Sequence, residues 1–210
     1  MAVPLGPKPK RTLKDIDRWL EPEEIYKLIT ARVWPYKETP QFYHTRDRAL
    51  MSLYFLTGGR NNEVLRLKKS QFTVQKDFVV IKGMHISKRT KRVIARYGAK
   101  VTKRVPIYLP RFKSLEPFTQ LVIDYLNLLQ PRSKDALLFN FSVRRSHQII
   151  KFVTGKWVHW FRAMSENFYG ELLDDAIRLA KFVGVTNVQS VMPYIPLNEE
   201  AYVKDLKEKT

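Results

Sequence analysis

The chain has 210 residues, of which 44% are apolar and 12% aromatic, so it can bury one good hydrophobic core and we expect one domain, or one with a small appendage. Its 38 Lys and Arg residues outnumber its 20 Asp and Glu residues, and this excess of +18, spread along the whole length, favours a nucleic acid as the partner over an anionic membrane surface. There is no cysteine, which excludes disulfides, cysteine nucleophiles and thiolate metal sites, and the four histidines are too scattered to offer the spacing of metal ligands.

The segment 1–17 is predicted to be a basic, extended arm, because its prolines and its Lys and Arg residues cannot pack into a core. It could follow DNA phosphates or link to another part of a longer chain. No apolar run is long enough to span a membrane and no secretory signal opens the sequence, so we expect a soluble, cytoplasmic protein.

The first predicted helix runs from about Pro22 to Ala31. Proline is favoured at the first helical position, and the two glutamates that follow it suit the positive end of the helix dipole. Ile25, Leu28 and Ile29 recur at helical spacing and form the apolar stripe of this helix.

A second helix is predicted to begin at a Thr45 cap and to end at Gly58 and Gly59. Arg60 follows this double-glycine stop directly, so backbone geometry holds its position. Such an arginine can act as a rigid fork for a phosphate, but it can equally do no more than pair with Glu63.

A β-hairpin is predicted next, from the apolar, β-rich runs Phe78–Ile86 and Arg104–Leu109. The segment 87–103 between them is rich in Lys and Arg, and includes Lys88, Arg89, Lys91 and Arg92. A tip this basic suits a position in or over nucleic acid, and the alternative is a solvated loop.

Two further helices are predicted, one from Leu115 to Gln130 with a Ser114 cap, and one over Val143–Val153 that ends at Gly155. A buried kernel is expected between them at Leu137 to Phe139. The basic side chains of the second helix are expected to face DNA or water; these are Arg144, Arg145 and Lys151.

The segment from Val158 to Ile195 contains several candidate catalytic residues. His159 and Arg162 are three residues apart and would share a helix face, and Tyr194 lies near the end. Cationic groups placed ahead of a late tyrosine are typical of phosphoryl chemistry with a phenolic nucleophile. Tyr169 and Tyr202 are rival nucleophiles, and Tyr194 could also be an ordinary core residue.

The order of these features resembles the catalytic domain of the tyrosine recombinases, the family of phage and archaeal-virus integrases and Xer-type resolvases. The segment TGGRNNEVLRL is similar to the family box TGLRxSELxxL, with Arg60 at its first catalytic arginine. HWFRAM is similar to HxLRHx, and GVTNVQSVMPY to GHSSxxTTxxY. Gly184 follows Arg162 by 22 residues and Tyr194 follows Gly184 by 10, which is the family spacing.

The resemblance implies an α+β fold, mostly helical with a small antiparallel sheet or hairpin. It divides the chain into the arm 1–17, a catalytic domain over 18–195 and a tail over 196–210 that docks on a neighbouring protomer or on its own domain. The partners it implies are double-stranded DNA and further copies of the chain, in a dimer or tetramer on the DNA. Only about seventeen residues precede the match, whereas integrases usually carry a helical core-binding domain there, so the chain is expected to be either a catalytic-domain piece of a longer protein or a minimal form with weak, strongly salt-dependent DNA binding.

The activity that the resemblance implies is cleavage and rejoining of DNA through a 3′-phosphotyrosyl link, in viral or mobile-element integration and excision. Tyr194 would attack the scissile phosphate while Arg60 and Arg162 stabilise the charge on its oxygens. His159 would assist proton transfer at the nucleophile, and Lys88 would protonate the departing 5′ oxygen. Neither a metal nor another cofactor is expected.

Three departures from the family pattern bear on the site. Val185 stands where the family usually has histidine or tryptophan, and is read here as a plain core residue. The long hairpin leaves Lys82 as an alternative to Lys88, with Lys82 then a catalytic rather than a DNA-binding residue. Pro193 disfavours a regular helix leading into Tyr194, which predicts a tyrosine on a mobile segment.

Two other functions remain open at this point. Type IB topoisomerases and telomere resolvases share the tyrosine chemistry, and joining of two duplexes against relaxation of a supercoiled plasmid would separate these from a recombinase. A catalytically inactive, basic DNA-binding descendant is the non-enzymatic alternative, and Val185 is the best argument for it.

Overall fold

The computed structural model of the chain describes residues 19–86, 104–129, 136–185 and 187–195. The architecture is mostly helical with one small antiparallel sheet, as predicted. Among the described residues, no helix has the length and apolar character to cross a membrane. The helices are α1 (Pro22–Thr30), α2 (Pro40–Thr57), α3 (Asn61–Val64), α4 (Glu116–Leu128), α5 (Val143–Thr154), α6 (Val158–Leu173) and α7 (Ala176–Val183).

Helix α1 agrees with its prediction. Pro22 is its first residue, and Ile25 and Ile29 are fully buried while Leu28 is partly buried against the core. The Glu24 carboxylate accepts a hydrogen bond from the Glu21 amide at 3.1 Å, which satisfies one of the amide groups that a helix start leaves without a partner.

Helix α2 is longer than predicted, and the prediction that Thr45 caps it was wrong. It begins at Pro40, whose fixed φ suits the first turn of a helix, with Thr39 as the N-cap residue. Thr45 lies inside the helix, and its hydroxyl donates to the Gln41 carbonyl at 2.9 Å. The predicted end is confirmed, because Gly58 takes the left-handed conformation at φ 54°.

Helix α2 is the centre of the core. Its second half is buried on every side, and Phe55 contacts Phe118 of α4 at a ring-centroid distance of 4.9 Å and Phe168 of α6 at 5.9 Å. The helix that precedes Arg60 is therefore packed between two others, which gives the loop after it a rigid base.

The sheet has the strand order β1 (Phe72–Val74), β2 (Phe78–Ile81) and β3 (Ile107–Pro110), all antiparallel. The predicted hairpin strands are present but shorter, because regular pairing stops where Ile81 faces Ile107. Beyond that point the Arg104 amide still donates to the Met84 carbonyl at 2.8 Å. Strand β1 was not predicted, since three mostly exposed residues carry no periodic signal.

The helix that follows the sheet and the loop after it differ from prediction. Helix α4 begins at Glu116 after a 3-10 turn over Lys113–Leu115, so Ser114 is not its cap. Leu137 was predicted to be buried and is 43% exposed, whereas the two residues that follow it are buried. Leu137 pairs with the partly buried Lys68 in an isolated antiparallel bridge, so its backbone is held although its side chain is exposed.

Helix α5 agrees with prediction at both ends. The Ser142 hydroxyl accepts a hydrogen bond from the Arg145 amide at 3.2 Å. Gly155 ends the helix with φ 70°, a conformation that costs glycine little because it has no Cβ.

The last described segment folds back onto α6. After α7, two 3-10 turns cover Val188–Ser190 and Met192–Tyr194. The carbonyl oxygen of Tyr194 lies so close to Gly170 that a Cβ at position 170 would be 1.8 Å from it. Glycine at this helix position therefore allows the chain around Tyr194 to dock.

Replacing Gly170 by alanine tests this contact. Alanine in a helix interior normally stabilises by about 1 kcal/mol relative to glycine. Here the added Cβ would displace the Tyr194 carbonyl, so we expect the free energy of unfolding in urea to fall by about 1–3 kcal/mol, as for other overpacked sites. Leu172→Ala, at an exposed position of the same helix, is the control. A Gly170→Ala protein more stable than the wild type would contradict the contact.

Candidate active site

Arg60 is held in place by Glu63. The Arg60 amide donates to one carboxylate oxygen of Glu63 at 3.0 Å, and its guanidinium donates to the other, also at 3.0 Å. The sequence left open whether Arg60 merely pairs with Glu63 or faces a phosphate. The pair exists, and the Arg60 side chain nevertheless keeps a quarter of its surface exposed.

Arg104 pairs with the same Glu63 carboxylate, and the sequence analysis did not identify this role. Its guanidinium is fully buried, forms an ion pair with Glu63, and donates to the Thr57 carbonyl at 2.7 Å and the Phe182 carbonyl at 3.1 Å. Burial lowers the pKa of Arg104 to about 10, and the charge of Glu63 opposes that effect. Arg104 thus ties the end of α2, α3 and the end of α7 together.

Gly184 leaves room for Arg104. A Cβ at position 184 would lie 2.8 Å from Nε of Arg104, which is too close for an ordinary contact. Val185, next in the chain, is partly buried against the core, and its amide donates to the Ala180 carbonyl at 2.9 Å.

Arg162 approaches the same region from α6. Its guanidinium donates to the Gly58 carbonyl at 2.6 Å and pairs with Glu166 at 2.7 Å. Burial lowers its pKa, the charge of Glu166 opposes that, and the nearby charge of Arg60 lowers it further. Arg60 and Arg162 both line the pocket described next.

A pocket of about 140 Å³ opens between the loop after α2 and the start of α6. It brings together three residues that the sequence singled out, namely Arg60, His159 and Arg162. The lining also includes Asn61 and His147, which the sequence analysis did not identify. Asn61 is fixed by the Tyr54 hydroxyl, which donates to its side-chain oxygen at 2.5 Å.

Tyr194 is not among the residues that line this pocket, but it is joined to it through Glu166. The Tyr194 side chain is buried, and its hydroxyl hydrogen-bonds Glu166, the carboxylate that pairs with Arg162. Burial raises the pKa of Tyr194, and the charge of Glu166 and the hydrogen bond to it raise that pKa further. The backbone at Tyr194 is a 3-10 turn, in agreement with the prediction that Pro193 disfavours a regular helix.

Glu166 was not singled out by the sequence. It is 6% exposed, and burial raises its pKa while the charge of Arg162 lowers it. Its only sequence signal is its spacing, since it lies four residues after Arg162 and therefore on the same helix face.

Of the two rival nucleophiles, Tyr169 does not line the pocket. Tyr169 is buried, its ring packs on Phe182 at a centroid distance of 4.1 Å, and among the described residues its hydroxyl finds no hydrogen-bond partner. Tyr202 lies outside the described residues.

The predicted DNA-binding residues are placed differently from one another. Lys82 and Arg144 are exposed, and Arg144 lies one turn before His147 on α5. Arg145 is partly buried, with its guanidinium 4.2 Å from the centre of the Trp34 ring, a cation–π contact. Lys88, Arg89, Lys91 and Arg92 lie outside the described residues.

The ligand types that hold metals are not clustered in the described ranges. No group of three or more His, Cys, Asp or Glu side chains comes together there in a way that could bind an ion. The pocket is instead lined by arginine, asparagine and histidine, whose N–H groups suit an anion.

Arg104→Met tests the buried ion pair. It would leave the Glu63 carboxylate buried with Arg60 alone, and we expect the free energy of unfolding to fall by about 3–5 kcal/mol. The double variant with Glu63→Gln should recover part of this loss, because no unpaired charge then remains. Urea unfolding measures all of these, with the exposed Arg66→Met as control. Equal losses for Arg104→Met and Arg66→Met would rule out the pair as a major constraint.

Comparison with known proteins gives matches to solved structures alone: no protein-family model matches the sequence, and a search of curated proteins finds no match. The XerH site-specific recombinase bound to its difH substrate, in a pre-cleavage complex, superposes with a TM-score of 0.58 at 17% identity, over 88% of this chain and 51% of the XerH chain. A post-cleavage XerH complex with palindromic difH gives 0.55 at 19% identity, over 82% and 47%.

The XerA recombinase gives a TM-score of 0.56 at 19% identity, over 97% of this chain and 66% of the XerA chain. The chain thus spans about half the length of the XerH chains that it matches. The mostly helical architecture with its three-stranded antiparallel sheet is shared with these structures. The chain therefore has a tyrosine recombinase-like fold.

Proposed function

We propose that this chain is a site-specific DNA recombinase that cleaves and rejoins DNA with Tyr194 as the nucleophile. The observation that carries the proposal is a single pocket lined by Arg60 and Arg162, which are far apart in sequence, with Glu166 linking Arg162 to the Tyr194 hydroxyl. Structural neighbours described as recombinases in complex with a DNA substrate support the same function.

The two arginines are suited to a phosphodiester. Each guanidinium presents planar N–H groups, and arginine has five such donors. Arg162 can therefore keep its contacts to Gly58 and Glu166 and still donate to a non-bridging phosphate oxygen. Arg60 lines the pocket while its guanidinium pairs with Glu63. Neither arginine therefore has to change position while negative charge develops on the phosphate.

The remaining roles follow the family resemblance. Tyr194 attacks the phosphorus, a 3′-phosphotyrosyl link forms, and the 5′ oxygen leaves with a proton that we assign to Lys88, with Lys82 as the alternative donor. His159, exposed at the pocket and one turn before Arg162, assists with protons or hydrogen bonds at the reacting groups. A second DNA 5′-hydroxyl then attacks the link and restores the phosphodiester.

The charge of the chain supports duplex DNA as the partner. The net charge of +18 supplies non-specific attraction to phosphates, and exposed Lys82 and Arg144 are candidates for such contacts. We further propose that copies of the chain, or of a longer protein that contains it, assemble on DNA during integration or excision of a viral or mobile element. Resemblance to phage and archaeal-virus integrases supports this setting.

The nucleophile can be tested with a nicked suicide DNA substrate. We expect the wild-type protein to form an adduct that survives SDS, and Tyr194→Phe to form none, because the phenolic oxygen is the atom that attacks. Tyr169→Phe is the matched control, since it removes a buried hydroxyl that makes no hydrogen bond to the described residues. An adduct in Tyr194→Phe, or its loss in Tyr169→Phe, would contradict the assignment.

Arg60→Lys tests the phosphate fork. Lysine keeps the charge but donates as a single point, so we expect the single-turnover rate of adduct formation to fall about 10²–10³-fold, as when one donor is removed from an oxyanion site. DNA affinity is measured separately by fluorescence anisotropy. Arg66→Lys changes an exposed arginine on the same segment and should keep the wild-type rate. A wild-type rate in Arg60→Lys would remove Arg60 from the reaction.

A further inference from the structure

Glu166 is a carboxylate at a buried position, where its charge needs a partner. It is 6% exposed in the middle of α6, where an unpaired charge would be strongly unfavourable. Arg162 balances that charge at 2.7 Å, and the Tyr194 hydroxyl hydrogen-bonds the same carboxylate. An ionised carboxylate can only accept hydrogen bonds, so the phenol is the donor to it.

We propose that Glu166 is a catalytic residue that accepts the proton of the Tyr194 hydroxyl as that oxygen attacks the scissile phosphate. The proposal rests on the proposed function. In this step the bond between the Tyr194 oxygen and phosphorus forms, the bond between phosphorus and the 5′ oxygen breaks, and the phenolic proton moves to Glu166. The 5′ oxygen takes its own proton from the general acid, assigned above to Lys88 with Lys82 as the alternative, and Glu166 returns its proton to the phenol when the link is resolved.

The surroundings of Glu166 suit this role. Burial raises the pKa of Glu166, which makes it a stronger base than an exposed glutamate, and the charge of Arg162 opposes this by favouring the ionised form. The other groups acting on this site are Arg60 from the loop after α2, Tyr194 from the last turn and Glu63 through Arg162. The phenol needs such an acceptor because its own pKa is raised by burial.

This assignment changes the role that the family resemblance gives to His159. Proton acceptance passes to Glu166, the group that is hydrogen-bonded to the phenol. His159 is left to hydrogen-bond the phosphate from the exposed side of the pocket. In the proposed mechanism Arg162 has two partners, the phosphate in the pocket and the Glu166 carboxylate.

The test compares Glu166→Gln with Glu166→Asp in single-turnover adduct formation on the nicked suicide substrate, from about pH 5 to 10. Glutamine keeps the size and one acceptor oxygen but cannot take a proton, so we expect its rate at neutral pH to fall about 10²–10⁴-fold and to keep rising with pH. Aspartate is shorter but keeps a base, so its rate should exceed that of Gln and level off with pH as the wild type does. A role limited to holding Arg162 also slows the Gln variant, because its charge no longer balances Arg162, but it leaves the pH dependence of the rate as in the wild type.

Two controls keep the outcomes distinct. Glu171→Gln changes an exposed glutamate on the same helix and should retain the wild-type pH profile. DNA affinity and urea unfolding of each variant separate a lost base from a lost fold. Wild-type rates in Glu166→Gln, or a Gln variant whose rate levels off with pH as the wild type does, would overturn the role of Glu166 and leave the proposed function standing. Absence of any adduct in the wild-type protein would overturn both.

Discussion

The Glu63 carboxylate is the constraint on which the geometry of this site depends. It is 1% exposed and takes hydrogen bonds on both oxygens from Arg60, and an ion pair from Arg104. A buried carboxylate is tolerated only when its charge is balanced and its lone pairs are used, so these three side chains must come together for the chain to fold. Their positions in sequence join the end of α2 to the segment before β3. The orientation of Arg60 is thereby a consequence of folding.

The same arrangement recurs at the second arginine. Arg162 is backed by Glu166 as Arg60 is backed by Glu63, and the Gly58 carbonyl accepts from Arg162. Each cation is therefore fixed on one side by a carboxylate and faces the pocket with the other. Fixed donors stabilise developing charge better than flexible ones, because no reorganisation is needed during the reaction. The carboxylates also offset the repulsion between two arginines held close together.

The sequence predicted the helix ends that are determined by residues close to one another in the chain. Pro22, Ser142 and the glycines at positions 58 and 155 mark helix ends by mechanisms that act within a few residues, and the structure has those ends. Thr45 was a plausible cap, but Pro40 lies earlier and its fixed φ starts the helix there. Arg104 could not be assigned, because its partners lie 41 to 78 residues away and no periodicity encodes such contacts. The order and spacing of Arg60, His159 and Arg162 predicted that they act at one site, and the structure places them around one pocket. His147 lines the same pocket, but no sequence pattern indicated it.

Glu166 could have been noticed from the pattern of α6. His159, Arg162, Glu166 and Gly170 follow one another at spacings of three, four and four, so they lie on a single stripe of the helix. The rest of this helix is largely buried and apolar, including Trp160, Phe161 and Met164. Charged residues along one stripe of a buried helix oppose burial and need partners, which here are the Gly58 carbonyl and the Tyr194 hydroxyl. One helix face thus holds a histidine, an arginine, a carboxylate and the glycine against which Tyr194 docks, so any change in the packing of α6 against α2 would move the phosphate pocket and the proposed nucleophile together.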